Sequence, residues 1–232
     1  EYFARSRLMH WNGTTSKALG EAAMITDASP SPDGNYLMVT SIMRPFSYVV
    51  PYYNFPELIQ IWDMNGTVVK TLLDRPLVEN EPRGYDMVIP GPRFFDWRDD
   101  KPATVFWVEA LDGGDMKNQM EFHDQIYTLD PPFSGEPLKL VATALRFNGI
   151  TWGGYDLAMI TEGSARSRTV ITSSFNPSVP MQPKKKIHEY NRDDRYNNPG
   201  RFITGPNQYG RNALLFSDRG KSLLLSGSGA SP

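Results

Sequence analysis

Along this chain apolar and polar positions almost never follow a helical period. Apolar residues come in short alternating or continuous runs rich in Val, Ile, Tyr, Phe, Trp and Thr, bounded by Gly, Pro, Asn or Asp. That is the pattern of strands and turns. Strands are predicted at 36–39, 58–63, 67–72, 103–109, 125–129, 138–142, 157–160, 169–172 and 222–226. Asn65-Gly66 lies between two of these runs and predicts a tight hairpin whose two central residues both take positive φ. The 19 Gly and 19 Pro punctuate the runs and work against long helices.

One unit recurs: a small or aromatic lead-in, a tight polar turn, then a buried strand. Its copies carry Ser31-Pro32-Asp33-Gly34-Asn35, Phe95-Asp96-Trp97-Arg98-Asp99-Asp100, Ile150-Thr151-Trp152-Gly153-Gly154-Tyr155-Asp156 and Phe216-Ser217-Asp218-Arg219-Gly220-Lys221. Ser31, Trp97, Trp152 and Ser217 stand 66, 55 and 65 residues apart. Further strands follow the turn in the first three units. An ordered repeat of about four strands predicts an all-β chain, a β-propeller that is incomplete, with three to four four-stranded blades. The repeat units are placed at about 25–90, 91–145, 146–210 and 211–232, the last incomplete, because it stops after one strand at Gly227-Ser228-Gly229-Ala230-Ser231-Pro232. A β-sandwich or irregular barrel is the competing architecture.

Composition narrows the function. With 40% hydrophobic and 22% charged residues, the chain can pack a core. A net charge of −2 argues against a nucleic-acid partner. The basic run Lys184-Lys185-Lys186 reads as a solvated, Pro-flanked loop. With no cysteine, thiolate chemistry and Cys-ligated metals are excluded. No apolar run is long enough for a membrane-spanning helix. The opening Glu1-Tyr2-Phe3 suggests that the natural start has been removed.

Chemistry-bearing motifs are sparse. The Gly-x-Ser-x-Gly spacing of a hydrolase nucleophile does not occur, and Ser226-Gly227-Ser228-Gly229 has the wrong offsets. His10, His123 and His188 are not paired at metal-ligand spacing. Asp112-Gly113-Gly114-Asp115 lacks the further ligands of a calcium loop and reads as a turn. Neither a metal nor an organic cofactor is expected. Asn12-Gly13-Thr14 and Asn65-Gly66-Thr67 match the glycosylation pattern but read as turns.

An ordered set of stretches resembles a known family. It comprises Ser31-Pro32-Asp33-Gly34, Arg44-Pro45-Phe46-Ser47-Tyr48-Val49-Val50-Pro51, Phe55-Pro56 with Ile61-Trp62-Asp63, and Pro102-Ala103-Thr104. Trp107-Val108-Glu109-Ala110-Leu111-Asp112-Gly113-Gly114-Asp115 follows, then Thr143-Ala144-Leu145-Arg146-Phe147, Thr151-Trp152-Gly153, Asp194-Arg195-Tyr196 and Pro199-Gly200. Together, over about residues 25–205, they resemble the glutamyl-endopeptidase-like branch of the prolyl oligopeptidase family. The resemblance is weaker at 162–176, where Gly163-Ser164-Ala165-Arg166-Ser167-Arg168 stands in place of that family's tryptophan and clustered basic residues.

The resemblance implies a serine peptidase in which an N-terminal propeller gates a C-terminal α/β-hydrolase domain and helps bind peptide substrate. That catalytic domain, with its triad, is absent from this chain. The segment 41–53 is the first candidate for substrate contact. Arg44 would grip an acidic side chain, with Phe46, Tyr48 and Tyr52 beside it. Arg166 and Arg168 form a second candidate, and the stretch 79–85 a possible rim. The alternatives are a stand-alone propeller that binds a protein partner, and a propeller enzyme in its own right, such as a glycosidase or lyase; for a glycosidase's two carboxylates no cluster stands out. Exposed sheet faces and edges of an unclosed ring predict self-association, with a homodimer as one outcome. A bacterial source would favour the periplasm or secretion.

Overall fold

A computed structural model describes residues 2–154 and 156–227. Tyr155 of the third turn and 228–232 of the terminal stretch lie outside the described residues. Among those residues there is no α-helix, and no helix is long and apolar enough to cross a membrane. The chain is all-β, as the apolar pattern predicts.

The first sheet is an antiparallel meander of β1 (Ser6–Trp11), β2 (Ser16–Pro30), β3 (Tyr36–Ile42), β4 (Glu57–Asp63) and β5 (Val68–Arg75), in that order. The second holds β6 (Pro92–Trp97), β7 (Val105–Ala110), β8 (Asp124–Leu129) and β9 (Leu138–Thr143). The third holds β10 (Arg146–Trp152), β11 (Ala158–Gly163), β12 (Thr169–Phe175) and β13 (Lys185–Asn191). Each strand pairs with the next in sequence, which is the blade pattern of an incomplete, propeller-like fold.

The last stretch departs from the single strand expected of it. It forms β14 (Arg201–Phe202), β15 (Thr204–Pro206), β16 (Asn212–Leu214), β17 (Phe216–Ser217), β18 (Ser222–Leu223) and β19 (Leu225–Ser226). β14 pairs with β19, β15 with β16 and β17 with β18, as short nested ladders.

The chain separates into two compact units, Glu1–Glu81 with Asp130–Glu136, and Pro82–Leu129 with Pro137–Pro232. In the first, alternation along β4 buries Ile59 and Ile61 on one face while Gln60 turns to the other. The Gln60 side-chain Oε1 then accepts a hydrogen bond from Trp62 Nε1 at 3.1 Å. Phe133, almost fully buried, packs edge-on against Tyr36 at 5.1 Å. In the second unit, two sheets share one core: Phe106, Val108, Ile126, Leu140 and Val141 from one, Phe147, Trp152, Ala158, Ile160 and Phe175 from the other. Burying each large side chain stabilises by about 1.5–3 kcal/mol. The opposite face of the second sheet carries an aromatic ladder, Phe95 on Trp107 at 5.9 Å and Trp107 on Tyr127 at 5.6 Å. Trp107 and Tyr127 are direct cross-strand partners, the geometry in which such pairs stabilise a sheet.

Two expectations are corrected by the backbone. Asn65 and Gly66 are not the paired central residues of the β4–β5 turn. The Gly66 N–H donates to the Asp63 carbonyl, so Met64 and Asn65 are central, and of the pair only Gly66 has positive φ. The Asp63 carboxylate explains the shift, because it accepts from the N–H groups of Asn65 and Thr67 and holds the turn open by one residue. Lys184-Lys185-Lys186 is likewise not a free loop. Lys185 and Lys186 open β13, and Lys184 Nζ reaches the buried Glu162 carboxylate at 2.6 Å. A buried acid draws an amine partner because an uncompensated charge there is costly.

Candidate functional site

A groove of the first unit lies where the β3–β4 connection leaves its sheet. The Met43 N–H donates to the Pro56 carbonyl, which pinches the connection shut at its base. One wall is Met43, Arg44, Pro45 and Pro56; the other is the end of β5 and the segment that follows it, from Asp74 to Asn80. The groove encloses about 830 Å³. Asn54, 3% exposed, staples the walls: its carbonyl accepts from the Val78 N–H at 2.9 Å and its amide reaches Glu81 at 3.5 Å.

The candidate residues in this connection do not converge on one point. Arg44 lines the groove and lies over the Phe46 ring at 5.2 Å, while Phe46 packs against Phe55 at 5.7 Å. Phe46 therefore supports the guanidinium from beneath, by a cation–π contact. Tyr48 is fully exposed and is not part of the groove lining. Tyr52 stacks edge-on with Tyr53 at 5.8 Å, both exposed. Arg75 adds a second cation, but it is committed to Glu57 at 3.0 Å and to the Tyr53 carbonyl at 3.3 Å. Asp74 and Glu79 also line the groove. Three prolines with Leu77 and Val78 make its surface apolar between charges of both signs, a lining suited to an extended peptide.

Arg166 and Arg168 sit in the second unit, on the β11–β12 hairpin. Arg168 takes positive φ and pairs loosely with Asp193 at 3.5 Å, both exposed. Arg166 lines a smaller groove with Gly84, Tyr85, Asp86, Met87, Met116, Lys117 and Ser164. Of the stretch 79–85, Glu79 and Asn80 line the first groove, and Gly84 and Tyr85 the second.

A buried ionic knot escaped sequence reasoning. Asp112 Oδ2 accepts from His123 Nδ1 and from Arg146, each at 2.7 Å. Arg146 also donates to Asp124 at 2.8 Å and to the Asp86 carbonyl at 2.7 Å, and Arg93 pairs with the second oxygen of Asp124. Burial raises the Asp112 carboxyl, but hydrogen bonds from His123, Arg146 and the Gly114 N–H outweigh it and hold the group below the usual carboxylate range. His123, which has no histidine partner at metal-ligand spacing in the sequence, is thus a buried member of a network. Asp112 serves the Asp112-Gly113-Gly114 turn with its other oxygen.

No family profile matches the chain. Two plant proteins match it over its whole length. The probable chloroplastic glutamyl endopeptidase of Oryza sativa subsp. japonica is 34% identical over 239 residues, and that of Arabidopsis thaliana 33% identical over 240. The chain is similar to proteins named as probable glutamyl endopeptidases. It spans about a quarter of the length of the curated relatives it matches, 25% of each. In this peptidase-related segment, the stretches that carry the family resemblance fall on structural joints. Arg44-Pro45 and Pro56 wall the first groove, and Asp112 and Arg146 form the centre of the knot.

Proposed function

We propose that the chain is the propeller part of a serine peptidase of the prolyl oligopeptidase type. In this reading it helps to bind peptide substrate, and gates access, for an α/β-hydrolase domain carried elsewhere in the same polypeptide. The observation that carries the reading is similarity along the entire chain to one quarter of proteins named as endopeptidases. The absence of a Gly-x-Ser-x-Gly spacing in these residues agrees with chemistry supplied from elsewhere.

The groove beside Arg44 is the peptide-contacting surface in this proposal. Its proline and aliphatic walls accept an extended backbone, and Arg44, held over Phe46, meets a carboxylate at one end. The test uses the full polypeptide that contains this segment and a matched set of peptides with Glu, Gln or Leu at one position. Hydrolysis should stop on treatment with a serine-directed inhibitor. Arg44→Glu should lower kcat/KM for the Glu peptide by about tenfold or more, as loss of a charge-assisted contact does, and leave the Leu peptide nearly unchanged. Insensitivity to the inhibitor removes the serine peptidase reading, and unchanged selectivity removes Arg44 from it.

A further inference from the structure

The second groove, on the β11–β12 hairpin, has an electrostatic character that the first lacks. Lys117 and Arg166 both line it. Among the described residues, neither the Lys117 ammonium nor the Arg166 guanidinium has a carboxylate within ion-pair distance. The acids nearby are already engaged. The Asp86 carboxylate accepts from Ser164 Oγ at 2.7 Å and from the N–H groups of Ala165 and Arg166. The Asp115 carboxylate accepts from the Lys117 N–H at 3.0 Å. The first groove sets Arg44 and Arg75 against Asp74 and Glu79, whereas the second sets Lys117 and Arg166 against the single carboxylate of Asp86.

The cations stand on a fixed frame. Asp86 binds the hairpin through its side chain, while its carbonyl is held by Arg146, itself locked between Asp112 and Asp124. The loop bearing Lys117 is joined to the same frame, because the Val88 N–H donates to the Gly114 carbonyl at 3.0 Å and Asn118 donates to the Asp112 carbonyl at 2.8 Å. Three segments, 84–88, 112–118 and 164–166, are therefore tied together by hydrogen bonds around a cavity of about 360 Å³. Met87 and Met116 line it with flexible apolar surface, and Tyr85 contributes an exposed phenol.

We infer that this groove binds a peptide carboxylate, with Arg166 and Lys117 as its charge partners and the two methionines around the methylene stem that bears it. The inference deepens the reading above by naming the chemistry of a second anchor, and it rests on that reading for the ligand being a peptide. The carboxylate can come from an acidic side chain or from a chain terminus, and the recognition chemistry is the same.

The experiment measures binding to the 232-residue chain by calorimetry at low salt, so that it needs no hydrolysis. The probes are a blocked pentapeptide Ac-Ala-Ala-Glu-Ala-Ala-NH₂, its Gln counterpart, and the Gln peptide with a free C-terminus. The Glu peptide or the free-terminus peptide should bind about tenfold tighter than the blocked Gln peptide, and whichever does identifies the source. The advantage should shrink as salt rises and vanish in the Lys117→Gln, Arg166→Gln double variant. Arg168→Gln, on the same hairpin but paired with Asp193, should keep it. Equal affinity for all three peptides, or an advantage that survives the double variant, overturns the proposal. Because both substituted side chains are exposed, strand content by circular dichroism should not change. Failure here with peptidase activity intact removes this groove alone, whereas binding without any hydrolysis by the longer polypeptide removes the peptidase reading and leaves the groove.

Discussion

Burial raises the Asp99 carboxyl to about 6, with Asp96 pushing the same way, Arg211 opposing and Asp100 adding to the rise. The folded chain therefore holds this proton in a window, from about 4 to about 6, where the unfolded chain has released it. Stability then falls as pH rises through that window and stays low above it. Asp99→Asn removes the penalty without disturbing the backbone, whose Asp99 carbonyl accepts from the Asn207 amide. Thermal unfolding should show the variant about 2–4 °C more stable than the parent at pH 7.5, with no gain at pH 4. An equal gain at both pH values would assign the effect to packing. This residue was legible in the sequence only as part of a polar turn, since its acidity depends on burial that no local pattern reports. The ionic knot was hidden for a related reason. Asp112, His123, Asp124 and Arg146 meet across separations of 11 to 34 residues, and each looks locally like an ordinary turn or strand-end residue.

Strands with one buried face could be read directly, because β4, β7, β8 and β11 bury alternate or continuous apolar residues. Three kinds of strand could not. β1 is exposed at nearly every position, so it shows no alternation. β13 opens with lysines and buries none of its residues. β6 and β10 are broken by bulges, at Arg93/Asp96 and Phe147/Gly149, which scramble the period of two. Besides the pairing of β2 with β3, the β1–β2 arm abuts the β4–β5 turn. Gly20, with positive φ, leaves no room for a methyl group against Trp62, and a methyl group on Gly66 would lie 2.2 Å from the Gly20 nitrogen. Lys17 Nζ also reaches Asn65 at 2.9 Å. Gly66→Ala should therefore prise the arm off as well as strain the turn, at a cost of about 1–3 kcal/mol. Limited proteolysis should cut the variant within 16–23 much faster than the parent. Cleavage at parental rates would mean that the turn relaxes without the arm.

At the scale of the molecule, the repeat of turn and strand gave an all-β, propeller-like chain, and the meanders bear that out. The terminal ladders β14 to β19 were not foreseen, because strands of two or three residues carry no period to detect. Self-association was expected from sheet edges in general, and the structure offers a specific place for it. β1 ends the first sheet, with β2 as its strand partner in that sheet. Its side chains Met9 and Trp11 are 55% and 68% exposed, and Tyr2 and Phe3 just before it are more exposed still. An edge strand whose backbone groups face outward can add a second strand, and apolar side chains along it favour that addition over solvation. Charge is the usual deterrent, yet β1 offers only Arg7, which is already paired with Glu21 at 3.0 Å. The chain should therefore shift from monomer to dimer as concentration rises into the high micromolar range in sedimentation velocity. Met9→Lys with Trp11→Lys should hold it monomeric at those concentrations, because two ammonium groups would then face their copies across the seam. A parent that stays monomeric throughout, or a variant that associates like the parent, shows that this edge is not the contact. Both substituted side chains are exposed, so unchanged thermal unfolding of the variant separates a lost interface from a lost fold.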